Sequence, residues 1–155
     1  MTTPFRLNSS KLVSCVNMVR SKYGAPPVQW DPKIAAVAQD WANLGLFKHR
    51  PYNVYGENIA IVSGGSDMSD MSDAIAMFER ESSKYDWDKP GFSTTTGHFT
   101  ALVWCATRRI GAGAVTLKDG RKLFVLNFDP PGNIMNRNMQ LFRINVLPRY
   151  HETNQ

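Results

Sequence analysis

Two runs of β-prone residues, Ile110 to Leu117 and Leu123 to Phe128, flank Lys118-Asp119-Gly120-Arg121-Lys122. No other local pattern restricts the fold of this chain as much. Asp-Gly between such runs predicts an antiparallel hairpin, because glycine takes the positive φ that a tight reversal needs. Gly111 and Gly113 in the first run predict close approach by an element packed over it. Asp129-Pro130-Pro131-Gly132-Asn133 ends the second run abruptly.

Upstream segments supply helices to cover this ribbon. Leu12, Val16, Val19 and Tyr23 recur at spacings of three and four, so a first helix is expected from Ser9 or Ser10 to Gly24, with Gly24 at C′. Asp31-Pro32 reads as N-cap and N1 of a second helix, whose apolar stripe is Ile34, Val37, Ala38, Trp41 and Leu44. Asn58 to Val62 is a short strand. The Gly/Ser/Asp/Met segment after it offers several N-caps for a third helix carrying Ile75, Phe78, Ser82 and Tyr85 and stopping before Pro90. A fourth begins near His98, with Thr96 as its N-cap. Of the four tryptophans, Trp30, Trp41 and Trp104 are core candidates and Trp87 is the one expected at the surface.

Hydrophobic residues make up 43% and charged residues 20% of the 155, which places the chain among globular proteins rather than disordered ones. One domain is expected over residues 1–155, with a core from about 8 to 148. No stretch is long and apolar enough to span a bilayer. Met1-Thr2-Thr3-Pro4 has no basic run before an apolar core and no glycine at position 2, which predicts an intracellular protein without a myristoyl anchor. A secreted protein whose leader has been removed is the alternative. Cys15 and Cys105 lack metal-ligand or CxxC spacing, so two reduced thiols are expected, at least one of them buried.

Charge is unevenly distributed. Residues 1–50 carry seven Lys/Arg against two acids, residues 51–100 three against eight, and residues 101–155 eight against three. An acidic middle between basic ends suits a cation-attracting cleft and a basic face for anionic lipid. Nucleic-acid binding is not expected, because no recognition motif accompanies the charge.

Three histidines and two glutamates are the residues to weigh. His151 lies in a polar tail. His98 opens a helix, where the dipole favours the neutral imidazole that binds metals. His49 sits in the loop after the second helix. Glu57 follows a glycine that lets the backbone turn its carboxylate inward. Glu81 lies on the core-facing side of the third helix and must meet a cation or a donor. Spacing alone does not show that these residues converge, and a structural hydrogen-bonding role for each histidine stands beside the functional one.

Several ordered motifs resemble one known family. Gly97-His98-Phe99-Thr100-Ala101-Leu102-Val103-Trp104 is similar to the first signature of the CAP superfamily of cysteine-rich secretory, antigen 5 and pathogenesis-related proteins. The run from Leu123 to Asn133 is similar to its second, Tyr55-Gly56-Glu57-Asn58-Ile59 to its GENI element, and Phe78-x-x-Glu81-x-x-x-Tyr85 to its W-x-x-E-x-x-x-Y helix. The likeness runs from about Asn8 to Pro148. It is greatest to the Golgi-associated pathogenesis-related branch, which lacks the family's disulfides. Leu126 and Tyr55 stand where secreted members carry cysteine.

The resemblance implies an α+β fold, a three-layer α-β-α sandwich around a central antiparallel sheet. It also implies a cleft built from His49, Glu57, Glu81 and His98. The two histidines would hold Zn²⁺ or another divalent cation, and the glutamates would serve as ligands or as carboxylates that orient the imidazoles. The implied function is a non-enzymatic binding protein. Its partners would be anionic phospholipid, a sterol-like lipid or other proteins, and it would form a weak homodimer. Its expected place is the cytoplasm or the periphery of a Golgi-type membrane. The alternative is a hydrolase using His49 or His98 as general base, or a metal-activated water, with Glu57 or Glu81 shuttling a proton. Ser63 is that reading's candidate nucleophile, although no nucleophile elbow surrounds it.

Overall fold

In the computed structural model, which describes residues 2–64 and 68–150, the elements run β1 (Thr3–Pro4), α1 (Ser9–Lys22), β2 (Gln29–Trp30), α2 (Pro32–Ala42), β3 (Gly56–Val62), α3 (Ser72–Arg80), α4 (Gly97–Leu102), β4 (Arg109–Thr116), β5 (Lys122–Asp129) and α5 (Gln140–Asn145). Single turns of 3-10 helix follow α3 at Glu81–Lys84 and precede α5 at Arg137–Met139. The hairpin forms between β4 and β5, with Thr116 opposite Lys122 and Arg109 opposite Asp129. Gly120 takes φ +90° in its turn.

The sheet order is β1-β4-β5-β3, antiparallel along that path. The expected central antiparallel sheet is present, with one short parallel addition. The two-residue β2 pairs with β4 in parallel, Gln29 beside Arg109 and Trp30 beside Ile110.

Strand alternation divides the core into two layers. On one face, Ala38, Trp41 and Ala42 of α2 pack against Ile59, Val115, Leu123 and Val125. On the other, Leu12, Val16 and Val19 of α1, Phe78 of α3, Phe99 and Leu102 of α4, and Phe142 of α5 cover Phe124, Leu126 and Phe128. The three-layer sandwich is therefore present. Each fully buried aromatic of this set contributes about 1.5–3 kcal/mol relative to exposure.

The glycines of β4 admit α2 to the sheet. A Cβ at Gly111 would lie 2.5 Å from the Ile34 carbonyl carbon, and one at Gly113 would lie 2.5 Å from Gln39 N. Gln39 uses the closeness, accepting from Ala114 N at 3.1 Å and donating to Ala114 O at 3.0 Å. Asp31 caps α2 through Lys33 N at 2.8 Å, with Pro32 in the first turn.

Several expectations are corrected by packing. α2 ends at Ala42, so Leu44 leaves the apolar stripe and is 59% exposed. The third helix does not run through to Tyr85; it tightens into a 3-10 turn at Glu81. Its N-terminus rests on Asp70, which accepts from Ser72 N at 2.9 Å, while residues 65–67 of the Ser-Asp-Met segment lie outside the described residues. Thr96 occupies the N-cap position of α4 but its hydroxyl makes no capping bond. Cys15 and Cys105 are free and both only half-buried, so neither is the fully buried thiol expected. Among the described residues no helix is long and apolar enough to cross a membrane.

Candidate functional site

β3 is the edge strand on the side of β5, and its alternation sends consecutive residues to opposite faces of the sheet. Glu57 falls with Ile59 on the α2 side, and Asn58 falls with Ala60 on the α1 and α3 side. The site is assembled across this edge.

On the α2 side, the loop from Asn43 to Tyr55 returns along the sheet and is held by Trp41 Nε1, which donates to Lys48 O at 2.8 Å. That bond delivers His49 to Glu57. His49 Nδ1 lies 2.8 Å from Glu57 Oε1, which also accepts from Arg50 N at 3.0 Å. Asn53 Nδ2 donates to Glu57 Oε2 at 3.1 Å. The Glu57 side chain is only 5% exposed, and a carboxylate taken out of water needs this full set of donors. The His49 ring, 70% exposed, stands outside it.

On the opposite side, the turn from α3 into the 3-10 segment aims Glu81 at α4. His98 Nδ1 lies 2.8 Å from Glu81 Oε2, and Phe99 N donates to Glu81 Oε1 at 3.0 Å. The requirement that Glu81 find a cation or donor is met. The His98 ring stacks on Phe78 at 5.0 Å between centroids and 15° between planes. Asn58 Nδ2 donates to His98 O at 3.0 Å and ties this half of the site to β3.

His49, Glu57 and His98 line one cavity of about 260 Å³, whose walls include Asn58, Phe92 and Asn133. Glu81 does not line it and acts from behind His98. Both imidazoles share one arrangement. A carboxylate only accepts, so each Nδ1 carries the proton that bonds to its glutamate, and in the neutral ring the lone pair open to a metal is on Nε2. Among the described residues no group of three or more His, Cys, Asp or Glu side chains is close enough to hold a metal ion.

Asn53, Asn58, Phe92 and Asn133 were missed in sequence. Asn133, at φ +57°, accepts from Thr100 Oγ1 at 2.6 Å and donates to Gly97 O at 2.9 Å, pinning the chain after β5 to the first turn of α4. Its place in the Pro130-Pro131-Gly132-Asn133 run was the available signal. Gly132 is required there because a Cβ would lie 2.7 Å from Trp104 Cγ. Ser63 lines a different cavity with Phe5, Met68 and Arg121, which contains neither histidine. His151 lies outside the described residues.

Comparison with known proteins bears on the family and the fold. The profile of the CAP family, described as the cysteine-rich secretory protein family, matches residues 13–128. The chain is 32% identical to human Golgi-associated plant pathogenesis-related protein 1 over 146 residues, covering 90% of this chain and 92% of that protein. It is 32% identical to pathogenesis-related protein 1 of Arabidopsis thaliana over 144 residues, covering 88% and 86%. A solved structure described as NaASP2 with Zn²⁺ superposes with a TM-score of 0.71 at 20% identity, covering 91% of this chain and 86% of that one.

Proposed function

The chain belongs to the CAP family, and from that premise we propose that it is a non-enzymatic binding protein whose cleft holds a divalent cation between His49 and His98. One observation carries the reading. Both histidines line the same cavity and both spend Nδ1 on a glutamate, an arrangement that fixes the tautomer and raises the basicity of Nε2 toward a metal. Two imidazoles with open remaining positions suit Zn²⁺, which would complete its shell with water or a ligand. Glu57 and Glu81 orient the rings. The Zn²⁺ named for the superposed NaASP2 structure is in keeping with that donor set. Calorimetric titration with Zn²⁺ should show one site, lost in the His49→Ala, His98→Ala double variant. Equal binding by the two proteins would refute it.

Within the hydrolase alternative Ser63 is not supported as nucleophile, since it lines a separate cavity, and the route left is a water activated by a histidine or by a bound metal. It predicts a hydrolysis that chelator or His98→Ala abolishes; the binding reading predicts none.

A membrane role has its own support. Leu44, Leu46, Phe47, Tyr52 and Val54 are all exposed on the loop that carries His49, with Lys48 and Arg50 among them and no acid between Trp41 and Gly56. An apolar, basic surface of this kind suits an anionic phospholipid bilayer, each basic residue adding about 1 kcal/mol. It would place the protein peripherally on a membrane such as the Golgi's. Flotation with phosphatidylserine vesicles should fall with salt and with Phe47→Asp. Binding indifferent to both would count against the loop, and flotation of the histidine double variant keeps this test separate from the metal.

A further inference from the structure

His49 belongs to two features at once. It lines the cleft with His98, and its Nδ1 is spent on Glu57, so Nε2 is the nitrogen left for a cation. It also sits in the middle of the exposed loop, with Phe47 and Lys48 before it and Arg50 and Tyr52 after it. Its ring is open to solvent, so a cation held there remains within reach of a ligand from outside the protein.

The opposite wall of the cleft has the same character. Phe92 lines it beside His98 and is exposed. Ile134 and Met135, which follow the wall residue Asn133, are exposed too, and Met135 joins Phe92 in the lining of a neighbouring cavity. Exposed apolar side chains therefore stand beside both halves of the site, a pattern that marks a surface meant to meet another.

Charge selects the kind of surface. No Asp or Glu occurs between Trp41 and Gly56, between Asp88 and Asp119, or from Pro130 to Tyr150. Those stretches supply every residue lining the cleft except Glu57 and Asn58. Glu57 is already saturated by His49, Arg50 N and Asn53, and Glu81 stands behind His98. No free carboxylate in the lining is left to repel an anion. Lys48 and Arg50 make no ion pair among the described residues, and Asp86, in the neighbouring cavity, is accompanied there by Lys84 and Lys89. A phospholipid bilayer answers all of these features together. It brings anionic oxygens to the cations and an apolar layer to Phe47, Tyr52 and Phe92, and its phosphates lie between the two.

Resting on the cation site described above, we propose that cleft and loop form one membrane site, in which a phosphate oxygen of a phospholipid headgroup takes an open position on the cation held by His49 and His98. Two imidazoles leave part of the shell of Zn²⁺ free for oxygen ligands. Lys48 and Arg50 meet neighbouring headgroups, while Phe47 and Phe92 enter the acyl boundary on either side. Cation and bilayer then bind cooperatively, each raising the affinity for the other by the same factor.

The probes are Zn²⁺ and vesicles of phosphatidylserine and phosphatidylcholine in equal parts, used with the full chain. The lipid concentration that floats half of the protein should fall about ten-fold when Zn²⁺ is added, a coupling of ordinary size, and should recover with chelator. The His49→Ala, His98→Ala double variant should float like the zinc-free parent with or without Zn²⁺. Phe47→Asp should weaken flotation in both conditions while leaving the Zn²⁺ affinity in vesicle-free buffer unchanged. One Zn²⁺ bound by the free protein, with flotation indifferent to it, overturns the proposal and leaves the cation site standing. A zinc-dependent gain that persists in the double variant overturns it as well, since the ion would then bridge protein and lipid elsewhere. No Zn²⁺ binding by the free protein removes the cation site, and the proposal with it.

Discussion

Arg20 is fully buried, and replacing it should cost more than replacing any surface cation. Its guanidinium donates to four backbone carbonyls, Pro26 O at 2.8 Å, Leu102 O at 2.9 Å, Trp104 O at 3.0 Å and Thr107 O at 3.1 Å. It thus ties α1 to the end of α4, the short helix that presents His98. Burial lowers its pKa to about 10, which leaves it charged at neutral pH and shows that the site charges a desolvation cost. Arg20→Met returns that cost but removes four hydrogen bonds from a charged donor, each worth about 1 kcal/mol or more. Trp104 O keeps Thr107 N at 3.1 Å and Thr107 O keeps Arg108 Nη1 at 3.4 Å, whereas Leu102 O and Pro26 O lose their Arg20 donor. The balance is a net loss of roughly 3 kcal/mol, at the lower end for breaking a buried charged network. For a domain of this size that lowers Tm by roughly 6–12 °C. Arg20→Lys, with three donors and no planar fork, should fall between. Thermal unfolding followed by far-UV circular dichroism, with urea denaturation alongside, reads both. An Arg20→Met protein as stable as the parent would refute the reasoning, because burial of the charge would then outweigh all four bonds.

Other consequences are simpler to state. Glu57→Gln and Glu81→Gln keep the shape of each pair but lose the charge behind the imidazole, and each should weaken Zn²⁺ binding by about 10–100-fold in a calorimetric titration. Gly113→Ala drives a methyl into the Gln39 backbone and should lose about 1–3 kcal/mol in urea unfolding, since α2 must lift from the sheet. Burial raises both thiols, with Asp70 adding to the rise at Cys15 and Arg20 and Arg108 partly opposing it at Cys105. A raised pKa means less thiolate at a given pH. Iodoacetamide labelling at pH 8 should therefore be slower than for an unstructured cysteine, and should keep rising to a higher pH.

What could be read in the sequence follows from how local each signal is. The Asp-Gly reversal, the Asp31-Pro32 cap and the close approach at Gly111 and Gly113 depend on neighbouring residues and on backbone sterics, and all three are present. β1 and β2, two residues each, carry no periodicity, and six-residue α5 is too short to show one. Leu44 continues the helical spacing of α2, yet Gly45 at φ +68° belongs to a chain that has already turned away.

The site divides in the same way. His49, Glu57, Glu81 and His98 stood out through motif resemblance and residue chemistry, and the fold pairs them as two His–Glu units about one edge strand. Asn53 and Phe92 reach the site only through the course of the loops, which no short pattern encodes, whereas Asn133 closes the run from Leu123 that the motif resemblance already covered. Thr96 was identified by position as a cap. Its backbone takes that position, but its hydroxyl is left without a partner.

The central claim is that His49 and His98 share one cation through Nε2 while their glutamates hold Nδ1. Anomalous scattering from crystals grown with Zn²⁺ tests it directly. The account predicts a single strong peak in the cleft at about 2.0–2.1 Å from both Nε2 atoms, with both Nδ1–glutamate contacts intact. A crystal whose zinc lies elsewhere, or binds through one imidazole alone, would contradict it.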